Sequence, residues 1–228
     1  MATLVECSQE SSYTLVSMDD GKANALGFDM LAQLGAALDV AEGAGKVVII
    51  AGRPGKFSAG FDLSVMGQGG EGMLSLLRSG AELSRRLLNF PTPVVLAVSG
   101  HALAMGALLL LSADYRVGVH GTYKIGLNEV AIGMTLPYFG VELARARLAK
   151  THLGAAVSLA RIYDAAGAVE AGYLDEAVSD EDLLPRAIAL AEQFSRLDMA
   201  AHSQTKARTR EPLNAALEAA IDKELGAA

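Results

Sequence analysis

Two five-residue runs, Val47–Ala51 and Val94–Val98, constrain this chain more than any other feature, because they are apolar at every position. A strand with one wet face alternates apolar and polar residues; these do not, so both of their faces are buried, as in a parallel sheet covered by helices. The neighbouring segments agree. Phe28–Glu42 places Met30, Leu31, Leu34, Ala37, Leu38 and Ala41 at helical spacing and stops at Gly43 and Gly45, and Met73–Asn89 reads as a second helix. Strands are expected at Leu4–Cys7, Tyr13–Met18 and Tyr115–Val119, with short ones around Lys124–Leu127 and within Gly172–Val178. Beyond Pro137 the pattern is mainly helical: Tyr138–Ala149, His152–Arg161, Asp182–Ser195 and Ala200–Leu225. The fold class is α/β, with a helical C-terminal part and no clean linker.

The longest apolar stretch, Val94–Leu111, is about 18 residues, the length at which a membrane span is considered. Ser99, Gly100 and His101 interrupt it and Pro91 and Pro93 precede it, so strand, turn and a buried helix near Met105–Leu111 is the better reading. Met1–Glu10 lacks the basic-then-apolar order of a signal peptide. The 228 residues, 51% of them apolar, suit one domain, or one with an appendage. Nineteen basic against 26 acidic side chains, a net charge of −7, disfavour a nucleic-acid or anionic-membrane partner. A single cysteine, Cys7, fits a reducing compartment, and the expected location is the cytoplasm. The histidines His101, His120, His152 and His202 show no i,i+4 pairing, so no metal site is expected.

Two glycine patterns suggest chemistry and fail on context. Gly67–Gly72 fits G-x-G-x-x-G, but no buried strand feeds it, so it reads as a flexible surface loop. Gly55–Gly60 is one residue too long between its glycines for a nucleophile elbow. More informative are two glycine-bearing turns, Ala51–Leu63 and Ser99–Gly106, each following a buried strand. Small residues beside a helix start leave backbone N–H groups open to a ligand. Two such groups aimed at one point would stabilise an enolate oxygen, with the helix near Met105 adding its positive end.

In detail the chain resembles the crotonase superfamily of enoyl-CoA hydratases and isomerases. Lys22-Ala23-Asn24-Ala25-Leu26 is similar to the K-x-N-A-L segment of that family, and Phe57-Ser58-Ala59-Gly60-Phe61-Asp62-Leu63 to its F-[SA]-A-G-x-D-[LI] motif. Gly100–Gly106 corresponds to its G-x-A-x-G-G-G turn and Asp114-Tyr115-Arg116 to its D-[YI]-R strand. The resemblance implies a crotonase-like ββα spiral core over residues 1–180 and a helical trimerisation segment over 181–228. It implies an oxyanion hole from the Phe61 and Met105 N–H groups, and coenzyme A held through backbone near Ala25, Ala59 and Leu63. Met105 and Ala104 stand where the family has glycine; their side chains are expected to crowd or reshape the acyl pocket. Asp62 is expected to shape its turn and His101 to be structural. Coenzyme A enters as part of an acyl-CoA thioester substrate, with no separate cofactor.

The resemblance also bears on the reaction. Hydratases of the family carry two glutamates; the first position is Leu108 here and the second is Glu129. Water addition needs help both in activating water and in delivering a proton, whereas one carboxylate suffices to move a double bond. Ile125-Gly126-Leu127-Asn128-Glu129 resembles the I-G-L-N-E segment of Δ3,Δ2-enoyl-CoA isomerases. Glu129 is therefore expected to be the base, in an apolar pocket lined partly by Leu108 that raises its pKa. Two alternatives stay open: a hydratase using Glu129 with backbone-held water, and a catalytically inactive acyl-CoA binder. The family also implies a homotrimer or a pair of trimers. The sequence stops short of the last helical stretch of many members, which leaves the hexamer and one wall of the coenzyme site open, and Gly67–Gly72 is expected to move over the acyl pocket.

Overall fold

The computed structural model describes residues 2–226. Its spine is a six-stranded sheet. The spatial order is β1 (Val5–Gln9), β2 (Tyr13–Met18), β4 (Val47–Ala51), β7 (Val94–Val98), β9 (Tyr115–Val119) and β11 (Glu176–Val178). β1 and β2 are antiparallel and every other neighbouring pair is parallel. The two wholly apolar runs, β4 and β7, lie at the centre. Val48, Ile50, Leu96 and Val98 face a core shared with helices α1 (Phe28–Ala44), α3 (Gly70–Leu88) and α4 (Met105–Ser112). Val47, Ile49, Val95 and Ala97 face a second core covered by Leu183, Ala187 and Leu190 of α8 (Leu183–Phe194). With helices on both sides, neither face needs a polar alternate. The stretch Val94–Leu111 divides into β7, β8 (Gly100–Leu103) and α4, and among the described residues no helix is long and apolar enough to cross a membrane.

The glycine-bearing segments read as turns are in part strands. β5 (Gly55–Ser58) pairs in parallel with β8, and β8 with β10 (Ile125–Gly126), while β3 (Ala25–Leu26) pairs with β6 (Gly60–Phe61). None of these carries a β-branched run; pairing with distant segments makes them strands, so local propensity does not reveal them. The small second layer lies close against α4. A Cβ on Gly106 would stand 2.5 Å from the Ser58 carbonyl oxygen, so the helix seats on β5 only because that residue is glycine.

The expected loop at Gly67–Gly72 is another correction. Asp62 accepts the Ser64 N–H and starts a short helix, α2 (Leu63–Met66), and Gly70–Gly72 already form the first turn of α3. Gly69 and Gly70, at φ 65° and 63°, turn one helix into the next, and the apolar stripe of α3 carries the helix back through the glycines. The remaining helices are α5 (Tyr138–Arg147), α6 (Lys150–Val157), α7 (Ala165–Ala171) and α9 (Met199–Leu225). α9 lies along α5 and α3. Glu224 near its end accepts the Tyr138 N–H at 2.8 Å, and Arg78 of α3 donates to the carbonyls of Leu225 and Gly226.

Candidate active site

Glu129 is held by backbone before its side chain does anything. β10 is pinned on one side to Tyr163, whose N–H and carbonyl both bond Ile125 at 2.9 Å, and on the other to Ala104, whose N–H reaches the Gly126 carbonyl at 3.1 Å. Three residues later the Glu129 carbonyl accepts the N–H groups of Ile132 (3.1 Å) and Met134 (2.9 Å), closing a tight 3-10 turn, Val130–Ile132. The carboxyl is then fixed in an enclosed place. Glu129 is 7% exposed and its Oε2 has no hydrogen-bond partner. Burial pushes its pKa up to about 7, against a smaller opposing effect from its own backbone N–H. A group poised there exchanges protons readily at neutral pH.

The side chain borders a cavity of about 350 Å³. Leu108, one turn into α4, forms the wall nearest the helix, and Phe61, Ala59 and Ala104 complete that side. Met66, Met73 and Leu77 close it from α2 and α3, and Glu224 reaches it from the last turn of α9. Leu63 lies at the rim and is 68% exposed. The lining is predominantly apolar, with thioethers that adapt to the shape of a flexible chain.

At the start of α4 the backbone is unusual. Ala104, the residue before the helix, has φ 49° and ψ −124°, a conformation that L side chains rarely adopt. It sets the start of α4, whose first N–H groups have no intrahelical acceptor, close against β6. A Cβ on Gly60 would lie 2.8 Å from the Ala104 Cβ and 3.2 Å from the Met105 nitrogen. The peptide leading to Phe61 and the Met105 N–H are thus brought together.

Several sequence-derived site residues therefore converge: Ala59, Phe61, Leu63, Leu108 and Glu129 all border one cavity. Ala25 does not. It lies in β3, beyond β6, with its N–H on Asp20 Oδ2 and its carbonyl on the Gly27 N–H. The structure corrects the expected crowding by Met105. Its side chain is wholly buried, with Cε 3.3 Å from where a Gly80 Cβ would stand, so it fills the space between α3 and α4. Ala104 is the residue that adds a methyl group to the cavity wall. His101 lies off the cavity, with Nδ1 accepting the Lys124 N–H at 2.9 Å and its ring edge-on to Tyr123. Sequence reasoning did not single out Thr135, Met134 or Glu224 as wall residues. Glu224 is brought there by α9, and nothing local to it in the sequence signals that.

Comparison with known proteins fixes the family. The profile of the enoyl-CoA hydratase/isomerase family matches residues 8–227. The chain belongs to this family. Among solved structures, an enoyl-CoA hydratase/isomerase family protein from Pseudomonas syringae superposes with a TM-score of 0.96 at 44% identity, covering 97% of this chain and 96% of that one. An enoyl-CoA hydratase from Mycobacterium marinum gives 0.94 at 41% identity, over 98% and 100%. The human mitochondrial enoyl-CoA delta isomerase 1 is 27% identical over 212 residues, 91% of this chain and 70% of its own length. Family membership identifies an enzyme of enoyl-CoA chemistry with an acyl-CoA thioester as the fitting substrate, and the names of its relatives divide between two reactions.

Proposed function

We propose that the protein is a Δ3,Δ2-enoyl-CoA isomerase that moves the double bond with a single carboxylate. The observation carrying this reading is the nearly enclosed Glu129 on a cavity whose nearest helical wall, at Leu108, is apolar; Glu224, the other carboxylate on its border, accepts the Tyr138 N–H. In the proposed reaction the Glu129 carboxylate removes a proton from C2 of a 3-enoyl thioester. The C2–H electron pair forms the C1=C2 bond of a dienolate that keeps its C3=C4 bond, as the carbonyl π pair moves onto the thioester oxygen. The N–H groups of Phe61 and Met105 hold that oxygen, and the α4 dipole favours its charge. The C3=C4 pair then takes the proton from Glu129 at C4, the C1=C2 pair becomes the C2=C3 bond as the thioester carbonyl re-forms, and the 2-enoyl product leaves.

Two features support one-carboxylate chemistry over hydration. Leu108 offers no acid on α4, the wall of Met66, Met73 and Leu77 is apolar, and Glu224, the second carboxylate on the border, is bonded to the Tyr138 N–H. The human relative named above is itself an isomerase by name. The decisive measurement compares the purified protein on 3-enoyl-CoA and 2-enoyl-CoA thioesters of the same chain length. Isomerisation should exceed hydration by at least roughly tenfold in kcat/KM, the factor that about 1.4 kcal/mol of selective transition-state binding gives. Faster hydration makes the protein a hydratase, and acyl-CoA binding without either turnover makes it a binding protein; both outcomes overturn the reading.

A further inference from the structure

Among the described residues, three of the buried polar atoms without a hydrogen-bond partner belong to one neighbourhood: Asn128 Oδ1, Glu129 Oε2 and the Tyr173 hydroxyl. Asn128 and Glu129 border the cavity; Tyr173 does not. It follows Gly172, the left-handed residue that ends α7, and is wholly enclosed, its ring tilted on that of Tyr163 with centres 5.8 Å apart. Its hydroxyl lies beside the backbone of Leu127, two residues before Glu129. It is also close enough to the Glu129 carboxylate for that charge to raise the phenol's pKa beyond the larger effect of burial. Native proteins pair nearly all buried polar atoms, through an ordered water where no side chain reaches. The chemistry of these three is complementary. A single water can accept the phenol proton and donate one hydrogen to each of the two oxygens.

We propose that Tyr173 is a positioning residue for Glu129, its hydroxyl holding the enclosed carboxylate oxygen through one water shared with Asn128. This rests on the reading of Glu129 as the base. The bridge fixes the orientation of the carboxyl group and leaves its other oxygen for the substrate. Because the water donates to the carboxylate, it favours the ionised form and moderates the effect of burial. The other groups facing the site do not take this part. Glu224 borders the same cavity but uses Oε2 on the Tyr138 N–H, and most of the remaining wall is apolar.

The test is Tyr173→Phe, which keeps the ring and deletes the hydroxyl. The Glu129 carboxyl is titrated by 13C NMR, alongside pH profiles of kcat and KM for 3-enoyl-CoA. The titration midpoint should rise by about one pH unit, and kcat at neutral pH should fall roughly five- to tenfold with KM within about twofold. Tyr163→Phe, which removes the hydroxyl facing His152 Nδ1 at 3.3 Å, should leave the midpoint where it is. An unchanged or lowered midpoint in Tyr173→Phe overturns the proposal. If that variant does not fold, Asn128→Ala replaces it in the NMR titration: a smaller rise supports the bridge and no rise overturns it. Glu129→Gln separates the two readings. If it retains isomerase activity the base assignment fails; if it is inactive while Tyr173→Phe titrates like the parent, only the role of Tyr173 fails.

Discussion

Two buried clusters of ionisable groups lie at opposite ends of α4 and are built on opposite terms. Beyond its C-terminal end, Asp114 is bonded at every turn. It accepts the Val94 N–H at 2.8 Å and Lys206 Nζ at 2.6 Å on one oxygen, and Arg210 at 2.8 Å on the other. Nearby, Arg116 meets both oxygens of Asp175 at 2.7 Å. Near the N-terminal end, Glu129 is more enclosed, no cation among the described residues shifts its protonation, and one of its oxygens has no partner. The difference shows in protonation. Burial lowers the Lys206 pKa to about 8, with Asp114 opposing the shift, while nothing comparable holds Glu129 down and it rises to about 7. A paired buried charge fixes helices in place; an unpaired one stores the capacity to exchange a proton.

The sharpest way to break that contrast is to remove the unpaired carboxylate while keeping its shape. Glu129→Gln should lower kcat by about 10²–10⁴-fold, the usual contribution of a general base, and leave acyl-CoA affinity within a few-fold. Stopped-flow turnover and calorimetric binding read the two separately. Loss of binding together with turnover would show that Glu129 positions the substrate rather than taking its proton.

The paired cluster should respond the other way. Asp114→Asn leaves Lys206 and Arg210 enclosed without their counter-charge, at a cost of about 3–5 kcal/mol of stability. Because the change is at the far end of α4, kcat of the folded protein should stay near that of the parent. Denaturant unfolding checks the first statement, and assay below the unfolding range checks the second. A stable Asp114→Asn protein would mean that this network contributes no more than a surface ion pair.

The contrast also predicts opposite pH behaviour for stability and activity at one residue. The Glu129 pKa is higher folded than unfolded, so the folded state binds the extra proton and Glu129 costs stability as pH rises from about 4.5 to about 7. Glu129→Gln should therefore be near neutral at pH 4 and stabilising by about 3 kcal/mol above pH 7.5, because each tenfold loss of acidity on folding costs about 1.36 kcal/mol. The parent's kcat/KM should rise over the same interval as the carboxylate forms. A flat stability difference between pH 4 and pH 8 would contradict the raised pKa.

How much of this was legible depended on where the information lay. β2, β4, β7 and β9 have the bounds their sequences predict: β4 and β7 are continuous apolar runs buried on two faces, and β2 alternates buried and half-buried residues as a strand does. The second layer was not legible. Gly55–Ser58 and Gly100–Leu103 are strands only through pairing with each other, and Ala25–Leu26 only through Gly60–Phe61. α7 is not among the expected helices although its signals are present, with Asp164 capping Gly167 N–H at one end and a left-handed Gly172 at the other. In the site, the placing of Glu129 and Leu108 on one cavity follows what the resemblance of their motifs to the family implied. The Glu224 wall was not legible, because its position is set by how α9 returns over α3 and α5, and neither was the enclosed Tyr173 hydroxyl. The direction of the Met105 side chain was likewise beyond sequence: it turns on Gly80 of α3 leaving room for its thioether.

The smallest expected effect tests the strained joint between the cavity and α4. Ala104 holds φ 49° and ψ −124° although it carries a Cβ, and that Cβ borders the cavity. Backbone strain of this kind costs on the order of 1–3 kcal/mol, and glycine would relieve it while adding about 0.4–1 kcal/mol of unfolded-state entropy. Ala104→Gly should then gain about 1 kcal/mol, a rise of about 2–4 °C in Tm for a chain of this size. The same change removes one methyl group from the wall, so the preference among acyl chains should move slightly toward bulkier ones. A fall in Tm would mean that the Ala104 methyl contributes more through packing against β6 than its backbone costs. The approach of Gly60 to the start of α4 would then be held by side-chain contact as well as by backbone.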